Sequence, residues 1–333
     1  MSEPDVSVIV VNFNGRKWLE GCLSAVAAQV GVCTETILVD NASTDGSREF
    51  VRESFPEVRL VVLDENHGFA GGGNAGSAVA RGRYLAFLNN DARPDESWLR
   101  RLLAALEHTP QAAMAASQIV WMDNPAIIES AGDGWFTSGG AFKRGFGQPA
   151  SMWRERGEAF GACGAACLIR REVFERVGGF DESFFVVFED VDLSYRVRLA
   201  GGMCIYEPDA VVRHAGSATL GRLSRQAVYY GQRNLEWVYV KNTPGLLLLR
   251  TLPGHLIYVC GAALYFLSRG RLLVFVAAKA AALAGLGSVL RRRRAVQRAR
   301  RASIRSLKRM MEPRWYATKW REKHVEWTQP PRV

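Results

Sequence analysis

Short apolar runs alternate with amphipathic stretches over the first 110 residues. VSVIVV (6–11), ETILVD (35–40), VRLVVL (58–63) and RYLAFL (83–88) have the length and continuity of buried strands. Between the first two, Trp18, Leu19, Cys22, Leu23 and Val26 recur at helical spacing and predict a helix over 16–29. Ser43 and Thr44 mark a helix start ahead of DGSREFVRESF, a short helix is expected over 74–81, and another over 95–108. Strands alternating with helices predict an α/β fold, a mostly parallel sheet with helices on both faces. Ligands of such sheets sit beyond the carboxyl ends of the strands. Asn12 to Asn14, Asp40, Asn41 and Asn89 to Asp91 all fall there.

Residues 112–244 are less regular. They hold a glycine-rich segment, SAGDGWFTSGGAFKRG (130–145), and EDVDLSYRVRLAGG (189–202). In the latter, Val191, Tyr195 and Leu199 form one helical stripe and Gly201 a stop. With 333 residues, 48% hydrophobic and 23% charged, the chain is globular, which excludes disorder, collagen and coiled coil for the whole. Six cysteines without a CxxC pair exclude a disulfide scaffold or zinc ribbon, and Cys163 and Cys167 read as buried small apolar residues. The N-terminus lacks a basic n-region and a cleavage pattern, so a reduced, cytosolic compartment is expected.

Charge changes the picture at Gly245. Residues 1–244 carry 24 basic and 30 acidic side chains, a net of −6, and residues 245–333 carry 19 and 3, a net of +16. The +10 of the whole chain therefore belongs to the tail, and a net-acidic body argues against a nucleic-acid partner. The tail orders two apolar stretches, 254–268 and 272–290, ahead of RRRRAVQRARR (291–301). The first is shorter than the roughly 20 residues of a span. Lys279 in the second would cost about 2.5–3.5 kcal/mol at a bilayer centre. Helices lying in the interface, with arginines on anionic headgroups, are the expected arrangement, and a spanning helix is the secondary one. A soluble helical hairpin with a solvated basic face fits the same letters.

The candidate chemistry is carboxylate-rich. Asn89-Asn90-Asp91 follows a strand, where a carboxylate suits Mg²⁺ or Mn²⁺ held by few protein oxygens plus substrate phosphates; a capping turn reads the same. Asp40 suits a nucleobase or ribose at the strand end, and equally an Asx turn. NHGFAGGGNAG (66–76) resembles a phosphate-cradling glycine loop, although it follows the third strand and lacks GxGxxG at the first turn. Glu189, Asp190 and Asp192 repel one another unless partners offset them, and Asp190, beside the apolar FFVVF, suits a general base of raised pKa. A lone histidine such as His214 is more often structural than a ligand, and gains weight if Asp91 lies beside it.

Taken in order, VSVIVVNFNG, LVDNASTDGS, NHGFAGGGNAG, LNNDARPDESWL, GGFDESFFVVFEDVDLSYRVRLAG and VVRHAGSAT resemble family 2 glycosyltransferases of the GT-A fold, over about residues 6–240. The rhamnosyltransferase-like branch, where NxGFAGGxN and FEDVDL recur together, is the nearest in pattern. The resemblance implies a catalytic domain over 1–244, its nucleotide-sugar half 1–111 and its acceptor half 112–244, with 245–333 as a membrane-associating tail. It implies that Asp40 meets the base, Asn12 the ribose, and Asn66, Gly68, Asn74, Asn89 and Asn90 the rest of the donor. Asp91 and His214 would hold Mg²⁺ or Mn²⁺, with Asn89 standing where the family's first DxD aspartate lies, and Asp190 would be the base of an inverting transfer. The implied reaction moves a sugar, L-rhamnose from dTDP-rhamnose above others, to a lipid-linked or cell-envelope glycan acceptor at the cytoplasmic face of the inner membrane. Rival readings are a UDP- or GDP-sugar donor, a non-catalytic nucleotide-sugar binder, and an NAD-dependent enzyme.

Overall fold

The computed structural model describes residues 3–216 and 223–328, with side chains to Glu322. The last three residues of VVRHAGSAT (217–219) and the chain end beyond 328 lie outside the described residues. The first third builds β1 (Val6–Asn12), α1 (Arg16–Ala27), β2 (Thr34–Asn41), α2 (Ser47–Ser54), β3 (Arg59–Leu63), α3 (Gly68–Val79), β4 (Tyr84–Asn89), β5 (Ala92–Pro94) and α4 (Trp98–His108). The middle builds β6 (Ala112–Trp121), β7 (Ile128–Ser130), β8 (Asp133–Phe136), β9 (Ala141–Lys143), β10 (Gly157–Ala159), β11 (Ala166–Arg170), α5 (Arg171–Arg176), α6 (Glu189–Leu199), β12 (Met203–His214) and α7 (Arg225–Asn242). The tail builds α8 (Gly245–Ser268), α9 (Leu272–Ala284), α10 (Leu286–Arg298), α11 (Ile304–Arg309), β13 (Met311–Glu312) and α12 (Trp315–Thr328).

A mixed sheet runs β10-β12-β6-β11-β4-β1-β2-β3, with β5 added beside β12 and β7 beside β6. β3, β2, β1 and β4 are parallel neighbours, as are β6 and β12, and β11 enters antiparallel between β4 and β6. Alternation along β1 divides the core. Val8 and Val10 face Leu19, Leu23, Trp98 and Leu102 of α1 and α4, whereas Ile9 faces the side of α3, α5 and α6. A small second sheet, β13-β8-β9, joins the tail to the body.

Two expectations fail for physical reasons. The glycine-rich segment after β3 is helix, beginning at Gly68 and continuing through the expected helix at 74–81. Its glycines let α3 lie on β1: a Cβ at Gly72 would stand 2.6 Å from Val11 Cγ1, and one at Gly76 would stand 2.6 Å from Ile9 Cγ2. At these two positions the close approach is to a strand. In the tail, the first apolar stretch is the second half of a 24-residue helix, α8, because Pro253 is accommodated inside it. The second stretch breaks near Gly285 into α9 and α10, bent by 59°.

Gly76→Val overfills the α3–β1 contact. It should lower stability by about 1–3 kcal/mol, read as an earlier denaturant midpoint with an unchanged slope.

Candidate active site

Register places the polar strand ends side by side. Asn12 stands opposite Asp40, and Val11 opposite Asn89. Asn90 Nδ2 donates to Asn12 Oδ1 at 2.7 Å, and Asn12 Nδ2 donates to Ser43 Oγ at 3.1 Å. β5 then pairs antiparallel with the end of β12, Ala92 opposite His214, and this ladder brings His214 to Asp91. His214 Nε2 lies 3.0 Å from Asp91 Oδ1 and 3.2 Å from Asn89 Nδ2, and Nδ1 lies 2.7 Å from Glu129 Oε2. Burial alone would favour the neutral imidazole, but Glu129 and Asp91 outweigh it and its pKa rises to about 10. Burial likewise opposes charge on Glu129, yet His214 and Lys143 hold its carboxyl well below the usual range.

The Asp91–His214 pair suits a hard divalent cation. Ligands on adjacent corners of an octahedral ion, with bonds of about 2.1 Å, are about 3 Å apart, the spacing seen between Oδ1 and Nε2. The bond from Nδ1 to Glu129 orients the ring so that Nε2 faces Asp91. Among the described residues no larger His, Cys, Asp or Glu group gathers for a metal. Asp91 and His214 would be the residues to hold Mg²⁺ or Mn²⁺, which take few protein ligands beside water and substrate phosphate, and a bound ion would take the place of the His214 Nε2 proton.

Asp190 opens α6 and is fixed by backbone. Gly164 N–H donates to Oδ2 and Val191 N–H to Oδ1, both at 2.7 Å. Burial raises its pKa against those two bonds and against the charge of Lys143. The other acids of the same helix turn are spent elsewhere. Asp192 is offset by Arg196 and Lys241, each at 2.8 Å, and Asn242 Nδ2 donates to it. Burial pushes Glu189 well up, and its Oε2 has no partner. Asp133, opposite Lys143 in the β8–β9 ladder, is raised by burial and then by Asp190, and its Oδ2 is also unpartnered. Asp133 and Asp190 are both raised by burial, but only Asp190 has two backbone N–H donors that favour its carboxylate form. Lys143 Nζ sits 2.5 Å from Glu129 Oε1, and its charge also lowers the Asp190 pKa.

The residues expected at the donor are arranged less openly. Asp40 is fully buried: Oδ1 accepts from Arg48 Nε at 2.6 Å and from Ser43 N–H at 3.1 Å. The Ser43 N–H bond is the Asx-turn contact, and Arg48 covers Oδ1 from the solvent side of the strand end. Asn66 Oδ1 accepts from Asn41 Nδ2 at 2.9 Å and Gly68 N–H at 2.8 Å. Asn74 is committed to the segment before α6, accepting from Phe180 N–H and donating to Phe180 O and Glu182 Oε1, each at 2.9 Å. Both ends of its amide are used in these contacts. Gly68, at φ +67°, abuts the Phe185 carbonyl, where a Cβ would stand 2.1 Å from the oxygen. Glu129, Lys143 and Asp133 were missed by sequence reasoning. Their signal was charge inside apolar or glycine-aromatic segments, IIESAG and DGWFTSGGAFK.

Residues 7–178 match the family model described as Glycosyl transferase family 2. The N-acetylglucosaminyl-diphospho-decaprenol L-rhamnosyltransferase of Mycobacterium tuberculosis is 29% identical over 244 residues, 65% of this chain and 77% of that protein. The O-antigen biosynthesis protein RfbC of Myxococcus xanthus is 28% identical over 229 residues, 65% of this chain and 18% of that one. Among solved structures, GalNAc-T7 with UDP, GalNAc and Mn²⁺ superposes with a TM-score of 0.57 at 16% identity; the match covers 72% of this chain and half of that one. The Pyrobaculum calidifontis mannosyltransferase PcManGT with GDP-Man and Mn²⁺ gives 0.53 at 22% identity, over 90% and 84%. These likenesses show the GT-A-type fold.

Lys143→Met removes the cation that lowers the Asp190 pKa. The acid limb of the rate–pH profile should move to higher pH, since the base is then protonated sooner as pH falls; an unmoved limb would place Lys143 outside its field.

Proposed function

The chain belongs to glycosyl transferase family 2 and is a glycosyltransferase working from a nucleotide-sugar donor, and on that premise we propose an inverting, metal-dependent transfer of L-rhamnose to a lipid-linked or cell-envelope glycan hydroxyl. The observation that carries the reading is the buried Asp91–His214 pair, oriented by Glu129 and linked through Lys143 to the surroundings of Asp190. Asp91 and His214 would hold Mg²⁺ or Mn²⁺, which when bound offsets charge growing on the departing diphosphate. Asp190 accepts the acceptor hydroxyl proton, a contribution of typically 10²–10⁴-fold. Asp133 and Glu189, both pushed toward the neutral form, add little competing negative charge. Because a bound cation would offset the charge on the leaving diphosphate, the transfer needs no acid on the leaving oxygen, unlike glycoside hydrolysis. L-rhamnose and a polyprenyl-diphosphate acceptor are supported by the name of the mycobacterial relative.

The tail supports peripheral attachment at the cytoplasmic face of the inner membrane. α8 is long and apolar enough to cross a bilayer, but one face of it is fastened to the body. Near its middle, His255 lies 2.8 Å from the Ser138 carbonyl and 2.9 Å from Glu236 Oε2, and Tyr258 is buried against Phe136. Lys279 of α9 pairs with the same Glu236 at 2.5 Å. Crossing would drag these polar contacts into hydrocarbon, which supports α8 lying in the membrane plane. Leu249, Leu256, Leu264, Leu273, Val276 and Leu283 are each more than half exposed on the other side. Of the arginines that follow this apolar surface, Arg291 and Arg294 are exposed and would contribute about 1 kcal/mol each on anionic headgroups, whereas Arg292 pairs with Asp181 at 3.2 Å and Arg293 with the Val240 and Thr243 carbonyls. An anionic membrane is the occupant this charge fits.

A donor panel with Mg²⁺ or Mn²⁺ should give metal-dependent nucleoside diphosphate release with dTDP-rhamnose and a polyprenyl-linked acceptor. Preference for a UDP- or GDP-sugar would replace the donor, and turnover in EDTA would remove the cation. The triple variant L249E/L256E/L264E should stop floating with vesicles containing phosphatidylglycerol while keeping its turnover on a soluble acceptor. Resistance of the unaltered protein to alkaline carbonate extraction would instead indicate a spanning helix.

A further inference from the structure

The segment before the base is held in backbone that its residues disfavour. Phe185, Val187 and Phe188 have φ of +65°, +65° and +76°, and none is glycine. Val187, β-branched, is the least suited of the three. Such conformations persist only where neighbours over-determine them, and they concentrate where geometry serves function. The neighbour here is α7. Asn234, fully buried, directs Nδ2 at the carbonyls of Phe184 at 3.0 Å, Val186 at 3.0 Å and Val187 at 2.6 Å. Arg233 Nη2 donates to the carbonyls of Ser183 at 2.9 Å and Phe184 at 3.1 Å. Arg233 Nε also donates to Asn234 Oδ1 at 2.9 Å, which fixes the amide with its nitrogen toward the strained segment.

The segment is gripped on its other flank as well. The Phe185 carbonyl accepts from Ala70 N–H at 3.2 Å and rests against Gly68, so α3 and the base segment share one contact. Phe185 stacks on Tyr230 of α7 at 5.3 Å. Downstream, Phe188 closes the segment in the left-handed region, its carbonyl accepts from Asp192 N–H at 2.8 Å, and α6 begins with Glu189 and Asp190. The direction in which Asp190 leaves α6 is therefore set by the turn that Asn234 holds.

We propose that Asn234, locked by Arg233, is a positioning residue for Asp190: it touches neither donor nor acceptor and acts by holding residues 184–188 in the conformation that aims the carboxylate. The proposal rests on reading Asp190 as the base. Asn234→Asp keeps the shape, removes the donor and sets a carboxylate against three carbonyls. Transfer kinetics are measured for N234D, D190N and N234D/D190N, with donor KM determined for each and folding checked by thermal unfolding. N234D should lower kcat by about 100-fold, within the range of general-base catalysis, with donor KM changed by less than about threefold. On the D190N background it should cost less than about threefold more, since a residue acting through another has nothing left to act on. Multiplying penalties, or a folded N234D with near-normal kcat, would overturn the proposal. If N234D does not fold, Arg233→Lys, which loses the fork that locks the amide, carries the same cycle with an expected loss of about tenfold. Near-normal kcat for D190N itself would sink the base assignment; a collapse of D190N with an unaffected N234D would sink only the positioning role.

Discussion

A charged imidazole buried between two carboxylates is the constraint around which the catalytic half is assembled. An ion taken out of water is costly unless its partners are placed well, and His214 meets that condition on both ring nitrogens. Its partners come from different elements: Asp91 from the β4–β5 turn, Glu129 from β7, and the histidine from the end of β12. Joining them requires β5 to pair antiparallel with β12 and β7 to pair with β6, which fixes the edge of the sheet where a donor diphosphate would lie. Removing His214 takes from buried Asp91 its cationic partner, while Glu129 keeps Lys143, so the imidazole is the member that both the site and this part of the fold depend on.

Buried acids around this centre take different protonation states because their partners differ. Glu129 is kept ionised by His214 and Lys143, and Asp192 by Lys241 and Arg196. Glu189 and Asp133 lack partners for one oxygen each and are pushed toward the neutral form. Asp190 lies between these extremes: its hydrogen bonds come from the backbone N–H groups of Gly164 and Val191. A carboxylate arranged in that way is compatible with the proposed role of base.

The strands were legible because parallel strands buried on both faces read as continuous apolar runs, and VSVIVV and RYLAFL become β1 and β4 within a residue or so. Polar residues at strand ends were legible for the same topological reason, and the juxtaposition of Asp91 with His214 follows from the β5–β12 ladder. What the letters hid depends on tertiary contact. The glycines of α3 answer to Val11 and Ile9, so their composition alone resembled a phosphate loop. Asp40 read equally as a base contact or a turn, and its ion pair with Arg48, eight residues on, gave no signal in the letters. Asn234 gave no signal, since its three carbonyl partners lie some 50 residues away in a turn no propensity rule anticipates. In the tail, the inward face of α8 is set by His255 and Tyr258 meeting the body, a contact invisible in an apolar run.

The central claim, a divalent cation shared by Asp91, His214 and the donor diphosphate, is tested most directly by pulsed electron paramagnetic resonance of Mn²⁺ added with the nucleotide sugar. The account predicts a coupling from one imidazole nitrogen together with phosphorus couplings, and predicts that His214→Asn abolishes the nitrogen coupling. A Mn²⁺ spectrum with phosphorus and water couplings alone, unchanged by His214→Asn, would contradict it.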